Sequence, residues 1–414
     1  MPNSVQTTLT PKWLAEPEVQ RIFTALGAPE IDARAVGGAV RDAVMGRDRG
    51  DSEIDLATPE EPDEVIARLQ NANLRVVPTG LSHGTVTAVV GKRTFEITSL
   101  RRDTATDGRH AVVEFTEDWH EDARRRDFTF NAMSMERDGT VHDDHGGMED
   151  AKAGRVRFVG ATADRIQEDY LRVLRLFRFQ ALYGRTPIDA DILSACRAHA
   201  AGLARLSAER VQAELAKMLG APSPYQAVAQ MQEAGVLDRV LPVRDGGAQF
   251  ARLEGVEHAA HVADAAWLRR LAALVDGADA RAVADALKLS NADRAALVQL
   301  TMDQSITPDL PPAALRRALY DLETAVVRNR ALLAWTRAPY PRGMERWQAL
   351  LKTIADWVPT SLPLSGGDVL ALGVAPGPRV GTLLEELLTW WLAREPAPDR
   401  AAALAELQSR VSKR

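Results

Sequence analysis

Apolar residues recur at helical spacing in Leu14, Val19, Ile22 and Leu26, which predicts a helix over 12–26. A second period, Val65, Ile66 and Leu69, predicts a helix over 61–71, and Arg41 to Met45 reads as a helix start behind a Gly-Gly turn. The pattern then shortens to Val-, Thr- and Ile-rich runs at 74–77, 85–90 and 93–99, which predict strands. Alternating helices and strands to about residue 135 predict a small α/β head. From about residue 160 the strand pattern nearly vanishes. Amphipathic Ala-, Leu-, Arg- and Glu-rich periods take over, broken at Pro222-Ser223-Pro224, Gly246-Gly247, Pro311-Pro312 and Ser365-Gly366-Gly367. The strongest period, Ile166, Tyr170, Val173, Leu174, Phe177 and Leu182, predicts one helix over 164–183. The fold class expected is α+β, an α/β head followed by an elongated all-α neck, body and tail. The divisions expected are 1–138, 139–222, 223–325 and 326–414.

Composition narrows this only a little. A chain of 414 residues is too long for one core. The N-terminal stretch is polar, no run of about 18 uncharged apolar residues occurs, and Cys196 is the only cysteine. A reducing cytoplasm is therefore expected, without disulfides or cysteine-based zinc sites. A net charge of −6 argues against a protein that coats nucleic acid everywhere. Residues 155–218 nevertheless hold eleven Lys and Arg against seven Asp and Glu, a local +4 that suits an RNA groove.

Chemistry concentrates in a few places. In Gly37-Gly38 the backbone can turn its N–H groups outward and approach a phosphate chain. Glu53 and Asp55, two residues apart, share one face of a strand and can hold Mg²⁺ against a triphosphate. Either half alone reads as a turn beside a solvated strand end; together, about 15 residues apart, they favour the site. Glu96 becomes a third carboxylate if its strand neighbours theirs. Arg124-Arg125-Arg126-Asp127, anchored by Phe128, Phe130 and Met133, offers forks for phosphate oxygens, with Asp127 and Asn131 for sugar hydroxyls. Glu168 and Asp169 precede Arg172 at four and three residues, and Arg172, Arg175 and Arg178 form a basic ridge. Asp143 to Asp150 reads as a capped Gly-Gly hinge rather than a metal site, His83 as structural, and Asp107 to His110 as a polar loop.

Gly37-Gly38-Ala39-Val40-Arg41-Asp42, Ile54-Asp55-Leu56-Ala57-Thr58, Arg125-Arg126-Asp127 with Asn131, and Glu168-Asp169-Tyr170-Leu171-Arg172 stand in one order. This order resembles the polymerase-beta-like nucleotidyltransferases, and most closely the bacterial class II CCA-adding enzymes and poly(A) polymerases. The resemblance covers residues 35–215. It implies addition of CMP and AMP to a tRNA 3′ end from CTP and ATP, with Mg²⁺ as cofactor; an oligomeric partner is not implied. It implies that Glu53, Asp55 and Glu96 are catalytic and that Glu53 and Asp55 ligate metal. Gly37, Gly38 and Arg41 would hold the triphosphate, and Arg125, Arg126, Asp127 and Asn131 the phosphates and sugar. Asp169 and Arg172 would read the base, with Glu168 orienting the arginine and Arg175 beside them, and Arg210 and Glu214 would stabilise that region. Three departures stand out: Glu53 where the family has Asp, Tyr170 where Pro is common, and Val275 where a phosphohydrolase helix would carry His. The alternatives left open are poly(A) addition, CC-only or A-only addition, and an RNA-binding protein weakened by Glu53. The chain ends without a basic extension, and this favours CCA addition over poly(A) addition.

Overall fold

The structure, a computed structural model, describes residues 7–47, 53–77, 80–81, 84–106, 111–243, 247–302, 306–338 and 343–412. His83 and the loop 107–110 lie outside the described residues. Two compact units are present, Met1–Leu241 and Pro242–Arg414.

The first unit begins with β1 (Thr7–Thr8) and a 3₁₀ turn, Lys12–Ala15, then α1 (Pro17–Ala25). The single helix expected over 12–26 is thus two pieces, because Pro17 fits only the first turn of a helix. Its predicted stripe is nonetheless buried, with Val19, Ile22 and Leu26 fully inside. Next come β2 (Arg34–Val36), α2 (Gly38–Val44), β3 (Asp55–Thr58), α3 (Pro62–Asn71), β4 (Arg75–Val77), β5 (Thr85–Val90) and β6 (Arg93–Ser99). A hairpin of β7 (Arg101–Thr106) and β8 (Ala111–Phe115) leads to α4 (Trp119–Arg125). A 3₁₀ turn at Thr129–Asn131 precedes β9 (Ser134–Met135) and β10 (Thr140–His142). The main sheet has the order β1-β10-β9-β2-β3-β6-β5-β4. Only its β3–β6 pair is parallel, with Asp55 opposite Glu96. Along β6, Phe95 and Ile97 point into the core while Thr94 and Glu96 face outward, as strand alternation requires.

Helices follow: α5 (Gly147–Ala153), α6 (Thr162–Glu168), α7 (Leu171–Tyr183), α8 (Ala190–His199), α9 (Ala208–Leu219), α10 (Tyr225–Glu233) and α11 (Leu237–Val240). At Gly147 a side chain is sterically impossible, because a Cβ would lie 2.1 Å from the Thr129 carbonyl oxygen. Asp143 caps α5 as expected of the hinge, accepting from Gly147 N and Met148 N at 2.8 Å each. Aromatic rings tie the segment before β9 to α7. Phe128 stacks on Phe158 at 4.8 Å between centroids and meets the edge of Phe179 at 5.1 Å, while Phe130 lies 5.4 Å from Phe179.

The helix expected over 164–183 is broken. Asp169 is extended (φ −152°, ψ 110°) between α6 and α7. Its Oδ1 accepts from Leu171 N at 3.0 Å, and the Tyr170 ring packs where a Cβ on Gly202 would otherwise sit. Predicted stripe residues Ile166, Val173, Leu174 and Phe177 are buried on both sides of the break. In the second unit, helices from Ala248–Ala259 to Arg400–Ser412 account for the regular structure among the described residues. Its core includes Arg269, wholly buried and bonded to Glu257, Asp264 and Asn329.

Arg178 and Glu214 join α7 to α9 inside the first unit, each 8–9% exposed at the side chain, with Nη1 at 3.0 Å from the carboxylate. Removing one partner strands the other charge in the interior, so Glu214→Ala should cost about 3–5 kcal/mol. The double variant Arg178→Met, Glu214→Leu should recover most of that loss. Urea denaturation of the three proteins checks this; equal stability of wild type and Glu214→Ala would refute it.

Candidate active site

The sharp turn between β2 and α2 requires glycine, since Gly37 has φ 71°, a left-handed backbone that side chains resist. A Cβ there would point at Asp55 Oδ2, 3.8 Å away, because β2 pairs with β3 and sets Val36 opposite Asp55. The turn and the carboxylate therefore come together, and β6 brings Glu96 beside them. Glu53 lies just before β3; with Asp55 it faces outward while Ile54 between them is buried. Loss of water around the Asp55 carboxyl pushes its pKa up, Glu96 and Glu53 push it further, and Arg126 pulls the other way. Among the described residues, no three His, Cys, Asp or Glu side chains gather tightly enough to form a metal-binding group. The donor set itself fits a hard divalent cation. It consists of carboxylate oxygens on one face whose mutual repulsion such a cation relieves.

Next to this turn opens a cleft of about 560 Å³. Seven arginines line it (Arg41, Arg101, Arg125, Arg126, Arg172, Arg175 and Arg210) against two acids, Asp127 and Asp169. Gly37, Gly38 and Asn131 share the wall, whereas Glu53, Asp55 and Glu96 stand outside the lining. Most of these guanidiniums are held from behind. Arg41, 7% exposed, donates to Asp42, to Asn131 Oδ1 at 2.9 Å and to the Tyr183 hydroxyl at 2.7 Å. Asp127 accepts from Phe128 N at 2.9 Å and Asn131 Nδ2 at 3.2 Å on one oxygen and from Arg175 Nε at 2.7 Å on the other. Burial pushes the Asp127 carboxyl up, but Arg175 and these hydrogen bonds outweigh it and hold it below the usual carboxylate range.

The break at Asp169 gives the neck its geometry. Asp169 Oδ2 accepts from Arg210 Nη2 at 2.7 Å, and both line the cleft. Glu168 pairs with Arg172 on α7 and with Arg165 on α6, and Arg172 Nη1 also donates to the Arg165 carbonyl at 3.0 Å. Arg172 and Arg175 reach the cleft but Arg178 does not. The expected three-membered ridge fails because a three-residue step on an α-helix turns the side chain by about 60°. Two steps carry Arg178 round to Glu214 and the Phe179 ring. Arg210 pairs with Asp169 and Glu214 with Arg178, so the two residues of α9 serve different parts of the neck.

Two important residues escape the sequence reading. Arg165 is one. The other is Asp122, 2% exposed, which grips Arg125 at 2.6 Å and Arg126 at 3.0 Å from one helical turn away. Its spacing of three and four residues to those arginines was the available signal. Burial raises the Asp122 carboxyl pKa, but Arg126 and Arg125 outweigh burial and hold it below the ordinary value. A carboxyl depressed in the folded state stabilises above its unfolded pKa and loses that contribution as pH falls through its folded pKa. Asp122→Asn should therefore cost about 2–4 kcal/mol at neutral pH, and the gap to wild type should narrow below about pH 4. Denaturant titrations at both pH values decide this; a gap independent of pH would refute it.

Comparison with known proteins agrees with this geometry. Residues 33–157 match the family described as "Poly A polymerase head domain", and residues 187–245 match "Probable RNA and SrmB- binding site of polymerase A". The chain is 35% identical over 399 residues to CCA tRNA nucleotidyltransferase 1, mitochondrial, of Danio rerio, covering 90% of this chain and 88% of that protein. It is 31% identical over 382 residues to a CCA-adding enzyme of Levilactobacillus brevis, covering 90% and 92%. The crystal structure of the Bacillus stearothermophilus CCA-adding enzyme in complex with CTP superposes with a TM-score of 0.76 at 27% identity, over 96% of this chain and 98% of that one. With its glycine turn, facing carboxylates and arginine-lined cleft, this chain belongs to the family of CCA-adding tRNA nucleotidyltransferases and poly(A) polymerases.

Proposed function

We propose that the protein adds CMP and AMP to the 3′ end of tRNA, using CTP and ATP and releasing pyrophosphate. The observation that carries this reading is the cleft. Six arginines stand around an acceptor–donor pair, Asp169 and a seventh arginine, Arg172, suited to one kind of base edge. Cytosine and adenine both present an exocyclic amine that donates beside a ring nitrogen that accepts. Uracil and guanine present the reverse. A carboxylate next to a guanidinium fits the first pair and repels the second. Asp169 keeps lone pairs beyond those taken by Leu171 N and Arg210, and Arg172 makes its protein hydrogen bonds through Nη1 alone among the described residues. Glu168 fixes that arginine.

In this reading Gly37 and Gly38 let the triphosphate lie against the backbone, with Arg125 and Arg126 on its oxygens. Arg41 holds Asn131, and Asp127 holds both Asn131 and Arg175, so that the sugar meets a rigid wall. The RNA 3′-hydroxyl attacks the α-phosphate in line as pyrophosphate leaves. Glu53, Asp55 and Glu96 are the residues that would hold Mg²⁺, which when bound polarises the phosphate and lowers the pKa of the attacking hydroxyl. No helix among the described residues is long and apolar enough to cross a membrane. The buried lone Cys196 suits a reducing compartment such as the cytoplasm.

The test is extension of a tRNA transcript ending at its discriminator base, with Mg²⁺ and CTP, ATP or both. Two cytidines followed by one adenosine are expected, and a long tract from ATP alone would instead establish poly(A) addition. Asp55→Ala should lower kcat by about 10³-fold or more. Glu53→Asp, which restores the shorter carboxylate, should retain or raise activity. If Asp55→Ala extends as fast as wild type, the assignment of the carboxylates fails.

A further inference from the structure

Arg165 lines no part of the cleft, yet it touches both halves of it. The residue is 8% exposed, on the buried side of α6. Its Nη2 donates to the backbone carbonyls of Arg125, at 2.5 Å, and Arg126, at 2.6 Å, 40 and 39 residues away in sequence. Its Nη1 pairs with Glu168, the same carboxylate that holds Arg172. The Arg165 carbonyl accepts in turn from Arg172 Nη1 at 3.0 Å, closing a ring of Arg165, Glu168 and Arg172. Among the described residues, Arg165 Nε is buried and makes no hydrogen bond. Loss of solvent lowers the Arg165 pKa and Arg172 lowers it further, so two like charges are held close around Glu168.

We propose that Arg165 is a positioning residue that couples base reading to the grip on the phosphates and sugar. This rests on the reading of Arg172 as a base-reading residue and Arg125 and Arg126 as phosphate-holding residues. Its fork fixes the backbone of the arginine pair to the carboxylate that orients Arg172. A base correctly seated against Arg172 and Asp169 thereby finds the phosphates held at a fixed distance, and one that tilts Arg172 pulls on the Arg125–Arg126 backbone. Productive geometry for the reacting phosphorus is then available to cytosine and adenine nucleotides only. Lysine cannot replace this fork, since one ammonium cannot span both carbonyls and Glu168 with fixed angles.

The experiment measures single-nucleotide addition to tRNA primers by wild type, Arg165→Met and Arg165→Lys, with CTP, ATP, UTP and GTP separately, alongside thermal unfolding. For Arg165→Met, kcat/KM for CTP and ATP should fall about 30- to 100-fold and for UTP and GTP no more than about 3-fold, chiefly through kcat. Discrimination then drops about 10-fold or more, and Arg165→Lys should lie between, at about 3-fold. A merely structural role would lower all four nucleotides together and leave discrimination intact, which overturns the proposal. If Arg165→Met fails to fold, Arg165→Lys decides on the same ratio, and wild-type discrimination there overturns the coupling. Wild type without preference for CTP and ATP would overturn the function reading itself, whereas preference retained in both variants overturns the coupling alone.

Discussion

Seven like charges around a cleft of about 560 Å³ repel one another, and the first unit is arranged to bear that repulsion. Asp42 takes Arg41, Asp122 takes Arg125 and Arg126, Glu168 takes Arg172, Asp127 takes Arg175 and Asp169 takes Arg210. Of these carboxylates only Asp127 and Asp169 line the cleft, so the negative charge sits mostly behind the positive face. Each of these six arginines has lost part of its freedom before any ligand arrives, which lowers the entropy cost of binding a triphosphate. The aromatic stack of Phe128, Phe130, Phe158 and Phe179 keeps this wall from shifting relative to α7.

The sheet meets a different constraint. Its parallel pair must place Asp55 and Glu96 side by side although like charges raise each other's pKa. Register fixes this, since a slip of one residue on β6 would bury Glu96 and expose Phe95 and Ile97, each 1% exposed in the structure.

Much of this was legible because it is local or periodic. β5 and β6 fall on the residues their Val, Thr and Ile runs mark, and the glycine turn announces itself through two adjacent glycines. The adjacency of Asp55 and Glu96 was readable only as a condition, because strand pairing is a long-range fact. The break at Asp169 was invisible. Tyr170 permits helix where proline would not, and the break is set by Arg210, 41 residues on, together with the close approach of Gly202. Arg165 was illegible for another reason. Its partners across the cleft are main-chain carbonyls, which every residue has and no sequence pattern marks. Asp122 could have been found, since its spacing to Arg125 and Arg126 is that of neighbours on one helix face.

The carboxylates behind the arginines also bear on how the enzyme family can turn over. Pyrophosphate carries away two of the three phosphates of the nucleotide, and bare guanidiniums would retain it as firmly as they seized the substrate. Each backing acid trims the positive potential at the cleft, most where Asp122 serves two arginines at once. A surface tempered in this way releases its leaving group more readily than bare guanidiniums would.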